Sequence, residues 1–222
     1  MRYIIICAGD GKRWNNYMGV PKHLALINNE PILYRTIRLL KENGVSSNEI
    51  YLVSKEYNLE ECNTYYPTLT KEFHDADKFL SSKCLWDLHD RTVILYGDVY
   101  FTDDAIKSIV NYTNKKWTLF CRPTASQITG KSWGECFAVN FYPRNIDKMT
   151  ILLYRMVDMF DEGLIDRIGG WELTRLMARR SPKKHMEKSN LYYVIDDFTE
   201  DIDYAEDYDN LVKALNGNNN SL

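Results

Sequence analysis

Short apolar runs alternate along this chain with longer stretches in which apolar residues recur at helical spacing. Residues 3–7 (Tyr-Ile-Ile-Ile-Cys) form one run and residues 92–96 (Thr-Val-Ile-Leu-Tyr) another. Such runs, ending near glycine, predict parallel strands buried on both faces. Residues 50–53, 69–73, 117–121, 137–141 and 191–195 predict further strands. Pro31 opens a helical pattern, Ile32, Ile37, Leu39 and Leu40 give it an apolar face, and Asn43-Gly44 closes it. Residues 78–88, 103–112, 146–160, 171–178 and 204–215 predict the other helices, the second of these capped by Thr102 or Asp103. Residues 8–22, rich in glycine and polar side chains, predict a long loop, and the polar, Asn-rich residues 217–222 a disordered tail.

Alternation of strands and helices builds a mainly parallel sheet covered by helices on both faces. The expectation is therefore an α/β fold with one domain over residues 1–216, a Rossmann-like three-layer sandwich. Ligands on such sheets bind beyond the carboxyl ends of the strands. Two strand ends stand out, Ala8-Gly9 after the first and Gly97-Asp98 after the central one.

Composition narrows the partners. The 222 residues carry 28 Lys+Arg against 31 Asp+Glu, a net charge of −3, which excludes nucleic-acid binding by bulk charge. No apolar run approaches the ~18–20 residues that span a bilayer, so no membrane partner is expected. The N-terminal apolar stretch runs directly into the glycine segment and lacks a signal-peptide cleavage site. Five cysteines without a C-x-x-C pair suit a reducing cytoplasm better than a disulfide framework or a zinc site. His23, His74, His89 and His185 have no metal-ligand spacing.

The first chemical feature is Ala8-Gly9-Asp10-Gly11-Lys12-Arg13, followed by Pro21-Lys22-His23-Leu24. A glycine turn after a strand lets backbone N–H groups approach a phosphate, and Arg13 and Lys22 add positive charge, a combination suited to a triphosphate. Two other phosphate motifs are excluded. The dinucleotide fingerprint needs glycine where Trp14 stands, and Gly130-Lys131-Ser132 lacks the upstream P-loop glycine because that position is Ala125.

With its strand, A-G-x-G-x-R and P-K-x-L order, the opening resembles the nucleotidyltransferases with a GT-A-type fold, which include sugar-1-phosphate nucleotidyltransferases, cytidylyltransferases of phosphorylated alcohols and MobA-like enzymes. Asn29-Glu30-Pro31-Ile32 is similar to the family's step into its first helix, with Asn29 in place of the usual glycine. The resemblance implies a nucleotide-diphospho-sugar-transferase type of fold with a mixed, mainly parallel sheet. It also implies that Tyr96-Gly97-Asp98 supplies a Mg²⁺ ligand through Asp98, and that Thr199-Glu200-Asp201-Ile202-Asp203 supplies a second through Asp203. Asp201 is the second choice for that role, but alternation along an extended segment puts Asp201 and Asp203 on one face, so whether Asp201 shares the metal site stays open. Glu206 and Asp207 read as first-turn helix acids.

By the same resemblance, Ala8, Gly9, Asp10, Gly11, Lys12, Arg13, Lys22, Ser82 and Asp98 bind the nucleotide, with Arg13 and Lys22 the catalytic cations. Lys131, Trp133, Gly134 and Glu135 would form the acceptor side: Trp133 stacked on a sugar, Glu135 accepting from hydroxyls, Lys131 on the phosphate. The expected partners are an NTP and a small phosphorylated substrate, with a homodimer admissible. The expected activity is Mg²⁺-dependent transfer of a nucleotidyl group to a phosphorylated acceptor, a sugar 1-phosphate first, a phosphorylated alcohol second. A glycosyltransferase would carry Asp-x-Asp after the central strand, where this chain has Asp98-Val99-Tyr100.

Overall fold

The computed structural model describes residues 1–9, 11–55, 59–66, 77–128 and 130–219. The first apolar run becomes β1 (Arg2–Ile6). After it comes a small hairpin of β2 (Leu26–Ile27) and β3 (Glu30–Pro31), turned by Asn28 and Asn29 at φ 52° and 63°. Left-handed φ at both central residues is what a two-residue hairpin turn requires, and Asn tolerates it. Next come α1 (Ile32–Glu42), β4 (Ile50–Val53), β5 (Asn63–Tyr65), α2 (Asp77–Leu80), β6 (Thr92–Tyr96), β7 (Val99–Tyr100) and α3 (Asp103–Val110). The second half contributes β8 (Thr118–Arg122), β9 (Glu135–Phe141), α4 (Pro143–Asp161), α5 (Gly170–Met177), β10 (Tyr192–Val194), β11 (Glu200–Asp201) and α6 (Ala205–Asn219).

Seven strands form the main sheet in the order β10-β8-β9-β6-β1-β4-β5. β1 pairs in parallel with β4 and β6, β4 with β5, and β10 with β8, while β9 runs antiparallel to both β6 and β8. Successive side chains of β1 point to opposite faces. Tyr3 and Ile5 pack with Leu33, Ile37, Ile106 and Ile109, beneath α1 and α3. Ile4 packs with Met149, Leu153, Met156 and Leu173, beneath α4 and α5. The expected three-layer arrangement with its mixed, mainly parallel sheet is therefore present. A third cluster, Trp14, Ala25, Ile27, Ile32, Tyr100, Ile202 and Leu211, joins the glycine loop, the small hairpin and α6 beyond the strand ends.

Two expectations differ locally, and one strand of the main sheet is not anticipated. Residues 78–88 do not form one helix: α2 ends at Leu80 and a 3₁₀ turn occupies Lys83–Leu85. Ser82 Oγ donates to the Phe79 carbonyl at 2.9 Å, a side-chain bond that competes with helical continuation. β5, the edge strand beside β4, has an Asn-Thr-Tyr sequence with no buried face to reveal it; residues 69–73 lie outside the described residues. At the C-terminus, Gly217–Asn219 continue α6 instead of starting a tail, and residues 220–222 lie outside the described residues.

Candidate active site

β1 and β6 end side by side, with Ile6 opposite Tyr96, and the site is built on the segments that leave these two strand ends. Gly97 must be glycine: a Cβ there would collide with Cys7 Sγ and lie 2.8 Å from the Ile6 carbonyl oxygen. This close approach places Asp98 directly over the carboxyl edge of the sheet. After β1, Gly11 turns at φ +60° and its carbonyl accepts from Trp14 N at 3.0 Å. Trp14 is buried, donates from Nε1 to the Val20 carbonyl at 2.7 Å, and meets Tyr17 and Tyr208 edge-on at 5.2 and 6.0 Å. An aromatic residue therefore stands where the dinucleotide motif has glycine because it pins the loop against α6. Lys22 emerges from the 3₁₀ turn Lys22–Leu24 just after Pro21.

The C-terminal acids are brought in by a two-strand ribbon. β11 pairs antiparallel with β7, Glu200 opposite Tyr100 and Asp201 opposite Val99, and Ile202 N donates to the Asp98 carbonyl at 3.0 Å. Ile202 is wholly buried, so the flanking Asp201 and Asp203 both turn toward Asp98. Oxygen atoms of the Asp98, Asp201 and Asp203 carboxylates lie within 4.8 Å of one another. Asp201 thus joins Asp98 and Asp203 in the cluster.

Two cations close on this group. Lys22 Nζ contacts Asp98 Oδ2 and lies 3.2 Å from Asp203 Oδ1, and Arg13 Nη1 lies 2.5 Å from Asp203 Oδ2. Burial by itself would depress the Lys22 ammonium, but Asp98, Asp201 and Asp203 outweigh it and hold the group above its ordinary pKa. Burial, and then the nearness of Asp203 and Asp98, push the Asp201 carboxyl well above its ordinary value. Carboxylates crowded in this way, all hard oxygen donors, fit a hard divalent cation. His23, buried next to Lys22, is held down to about 4 by loss of solvent, so its imidazole is neutral at neutral pH.

Two of the expected site residues are engaged within the chain itself. Lys131 is not presented to an acceptor phosphate. Its ammonium is buried and bound to the Asp201 carbonyl at 3.1 Å, Asp207 Oδ2 at 3.1 Å and Glu135 Oε1 at 3.3 Å. The same Asp207 oxygen accepts from Asp203 N at 3.0 Å and Tyr204 N at 2.9 Å, so Lys131 and Asp207 fix the turn that carries the acids. Ser82 is fully buried, and its hydroxyl, besides its bond to Phe79, accepts from Trp86 Nε1 at 3.1 Å. Asp10 lies outside the described residues. Gly9, Lys12 and Arg13 are exposed around the loop, and Ala8 is buried at its root.

Trp133, expected on the acceptor side, stands 55% exposed, with Nε1 donating to Glu135 Oε1 at 3.0 Å. It rims a pocket of about 280 Å³ shared with Pro123, Ser132, Gly134 and His185. Burial raises the Glu135 carboxyl even against Lys131. Gly134 packs too tightly for a side chain, since a Cβ would lie 2.7 Å from the Pro123 carbonyl carbon. Sequence reasoning misses Arg122 and Glu200, a buried pair at 2.7 Å whose arginine also donates to the Thr199 carbonyl at 3.3 Å, tying β11 to β8. A lone Arg and Glu 78 residues apart carry no local signal.

No protein-family model matches the sequence, and no curated protein matches it. Solved structures do match the fold. A Bacillus anthracis protein described as a glucose-1-phosphate thymidylyltransferase superposes with TM-score 0.67 at 14% identity, over 96% of this chain and 94% of that one. UDP-glucose pyrophosphorylase complexed with UDP-glucose gives 0.63 at 11% identity, over 98% of each chain. The CTP:phosphocholine cytidylyltransferase of Streptococcus pneumoniae gives 0.58 at 16% identity, over 96% and 98%. The fold is that of the sugar-1-phosphate nucleotidyltransferases and their cytidylyltransferase relatives.

Proposed function

We propose that the protein is a Mg²⁺-dependent nucleotidyltransferase that joins an NTP to a phosphorylated acceptor, a sugar 1-phosphate, and releases pyrophosphate. The observation that carries this reading is the convergence of Asp98, Asp201 and Asp203 with Lys22 and Arg13 at the ends of β1 and β6. Asp98, Asp201 and Asp203 would hold the ion, which when bound supplies charge neutralisation between the two reacting phosphates.

The acceptor phosphate oxygen attacks the α-phosphorus in line with the departing pyrophosphate. A phosphate monoester is already largely ionised at neutral pH (second pKa about 6), so the chain needs no general base. Its task is to hold two anions together, by positioning and preorganised charge. Backbone N–H groups of the Ala8–Gly11 loop and the Arg13 guanidinium hold the outer phosphates. Lys22 neutralises charge developing at the α-phosphate. Trp133 offers an apolar face to the acceptor, and Glu135 accepts from its hydroxyls. Lys131 and Asp207 position the acids and touch neither substrate.

The glycosyltransferase alternative is disfavoured because Tyr100 packs in the apolar cluster with Ile202 and contributes no second acid. No helix among the described residues is long and apolar enough to cross a membrane. None of the five cysteines forms a disulfide, which supports a cytoplasmic setting.

The test is a screen of four NTPs against glucose 1-phosphate, other sugar 1-phosphates and phosphocholine, with and without chelator, reading pyrophosphate. Metal-dependent release with a sugar 1-phosphate is expected. Release with phosphocholine alone would move the acceptor to a phosphorylated alcohol, and release with no pair would sink the reading.

A further inference from the structure

The three carboxylates each have a cationic partner supplied by the chain itself. Lys22 serves Asp98 and Asp203, Arg13 serves Asp203, and Lys131 Nζ lies 3.7 Å from Asp201 Oδ2. The three cations differ in how they are held. The Lys131 side chain is 5% exposed and fixed from other sides by Glu135, Asp207 and a backbone carbonyl. Arg13 comes from the exposed glycine loop, with its guanidinium 5.8 Å from the centre of the Tyr204 ring. Lys22 lies between these extremes, and its ion pairs are both to acids of the cluster.

We infer that Lys22, seconded by Arg13, is an exchangeable counter-ion of the carboxylate site, so that a divalent cation enters with a polyphosphate and not ahead of it. The identity of that polyphosphate as an NTP rests on the proposed nucleotidyl transfer. A divalent ion arriving alone meets acids that are already neutralised, and must drive the Lys22 ammonium off two of them without bringing an anion to receive it. A triphosphate brings several negative charges to the same place. Lys22 and Arg13 then gain new partners at the moment the acids are released to the ion. A flexible four-carbon stem ending in a point charge suits Lys22 to this exchange. Each ligand removes a cost the other would bear, and linkage makes the coupling mutual.

The test is Mn²⁺ binding, read by the loss of its free-ion paramagnetic resonance after ultrafiltration, with and without inorganic tripolyphosphate. It compares the wild-type chain with Lys22→Met and Arg13→Gln. Wild-type protein is expected to hold Mn²⁺ weakly alone and about 5- to 150-fold more tightly with tripolyphosphate, the usual span of coupling between ligands. Lys22→Met is expected to tighten Mn²⁺ binding in the absence of phosphate by about tenfold and to shrink the coupling by a similar factor. Arg13→Gln, at an exposed side chain, should move both in the same direction by less. Unchanged or weaker Mn²⁺ binding by folded Lys22→Met overturns the inference, as does a wild type indifferent to tripolyphosphate. If Lys22→Met does not fold, an unchanged Mn²⁺ affinity in Arg13→Gln overturns it instead. Should the Mn²⁺ shifts appear while no NTP and acceptor release pyrophosphate, the counter-ion role stands and nucleotidyl transfer fails.

Discussion

In the proposed function Asp98 and Lys22 serve the same site for opposite reasons, one as a ligand for cations and one as a ligand for anions. Asp98→Asn and Lys22→Ala are each expected to lower kcat by about 10²-fold or more, the scale of a lost preorganised charge. Steady-state pyrophosphate release checks this, with circular dichroism to show that the fold survives. Lys131 behaves differently. Its removal leaves Glu135 and Asp207 buried without their counter-ion, and stranding buried charges costs about 3–5 kcal/mol. Lys131→Met should therefore lower stability in urea by that order, where a solvent-facing phosphate binder would leave the midpoint unmoved. His23 gives a pH signature. Its folded pKa of about 4 lies below the ordinary value of 6.5, so the unfolded chain binds the extra proton first. That contribution to stability is full above about pH 6.5 and is lost as pH falls toward 4. His23→Gln should flatten the fall in Tm over this window.

At the scale of elements, the site depends on short pieces placed by long-range bonds. Thr102 caps α3, its Oγ1 accepting from Ala105 N at 3.1 Å and donating to Asp197 Oδ2 at 2.6 Å, while Thr102 N donates to Thr199 Oγ1. One residue thus starts a helix and tethers the segment leading to β11. Thr102→Ala should cost about 1 kcal/mol for the cap, and more for the tether, read as a fall in Tm. Gly97 is a second such point. Gly97→Ala forces a methyl against Cys7 and the Ile6 carbonyl, an overpacking expected to cost about 1–3 kcal/mol and to displace Asp98. A stability loss accompanied by weaker Mn²⁺ binding is the expected pair of results. The residues after the glycine loop include left-handed Asn15, Asn16 and Met18, at φ 49°, 54° and 61°, beside the edge-on contact of Trp14 with Tyr17.

At the scale of the molecule, the near-neutral total charge hides a sharp local order. Cations from the first quarter of the chain meet acids from its middle and its end at one sheet edge. The layers were readable in the sequence because buried strands write continuous apolar runs and amphipathic helices write a 3.6-residue period. The edge strand β5 and the broken helix at residues 78–88 were not, since an exposed edge has no alternation and Ser82 ends its helix through a bond to a backbone carbonyl. Asp98, Lys22 and Arg13 were readable because each comes after a strand or turn in a recognisable local order. Inclusion of Asp201 was left open, since one-dimensional alternation shows that two acids share a face without showing what that face meets.

The sequence by itself determined the strand and helix order, the glycine loop and the types of charge available, because these are local properties of spacing and backbone sterics. Only the tertiary structure decided which charges meet. The β7–β11 ribbon set Asp201 and Asp203 beside Asp98, and it buried Lys131 as a structural counter-ion in place of the acceptor ligand its surroundings in sequence suggest. The physical reason is that Coulomb interaction and burial depend on distance in space and on exclusion of water, and neither is encoded by position along the chain.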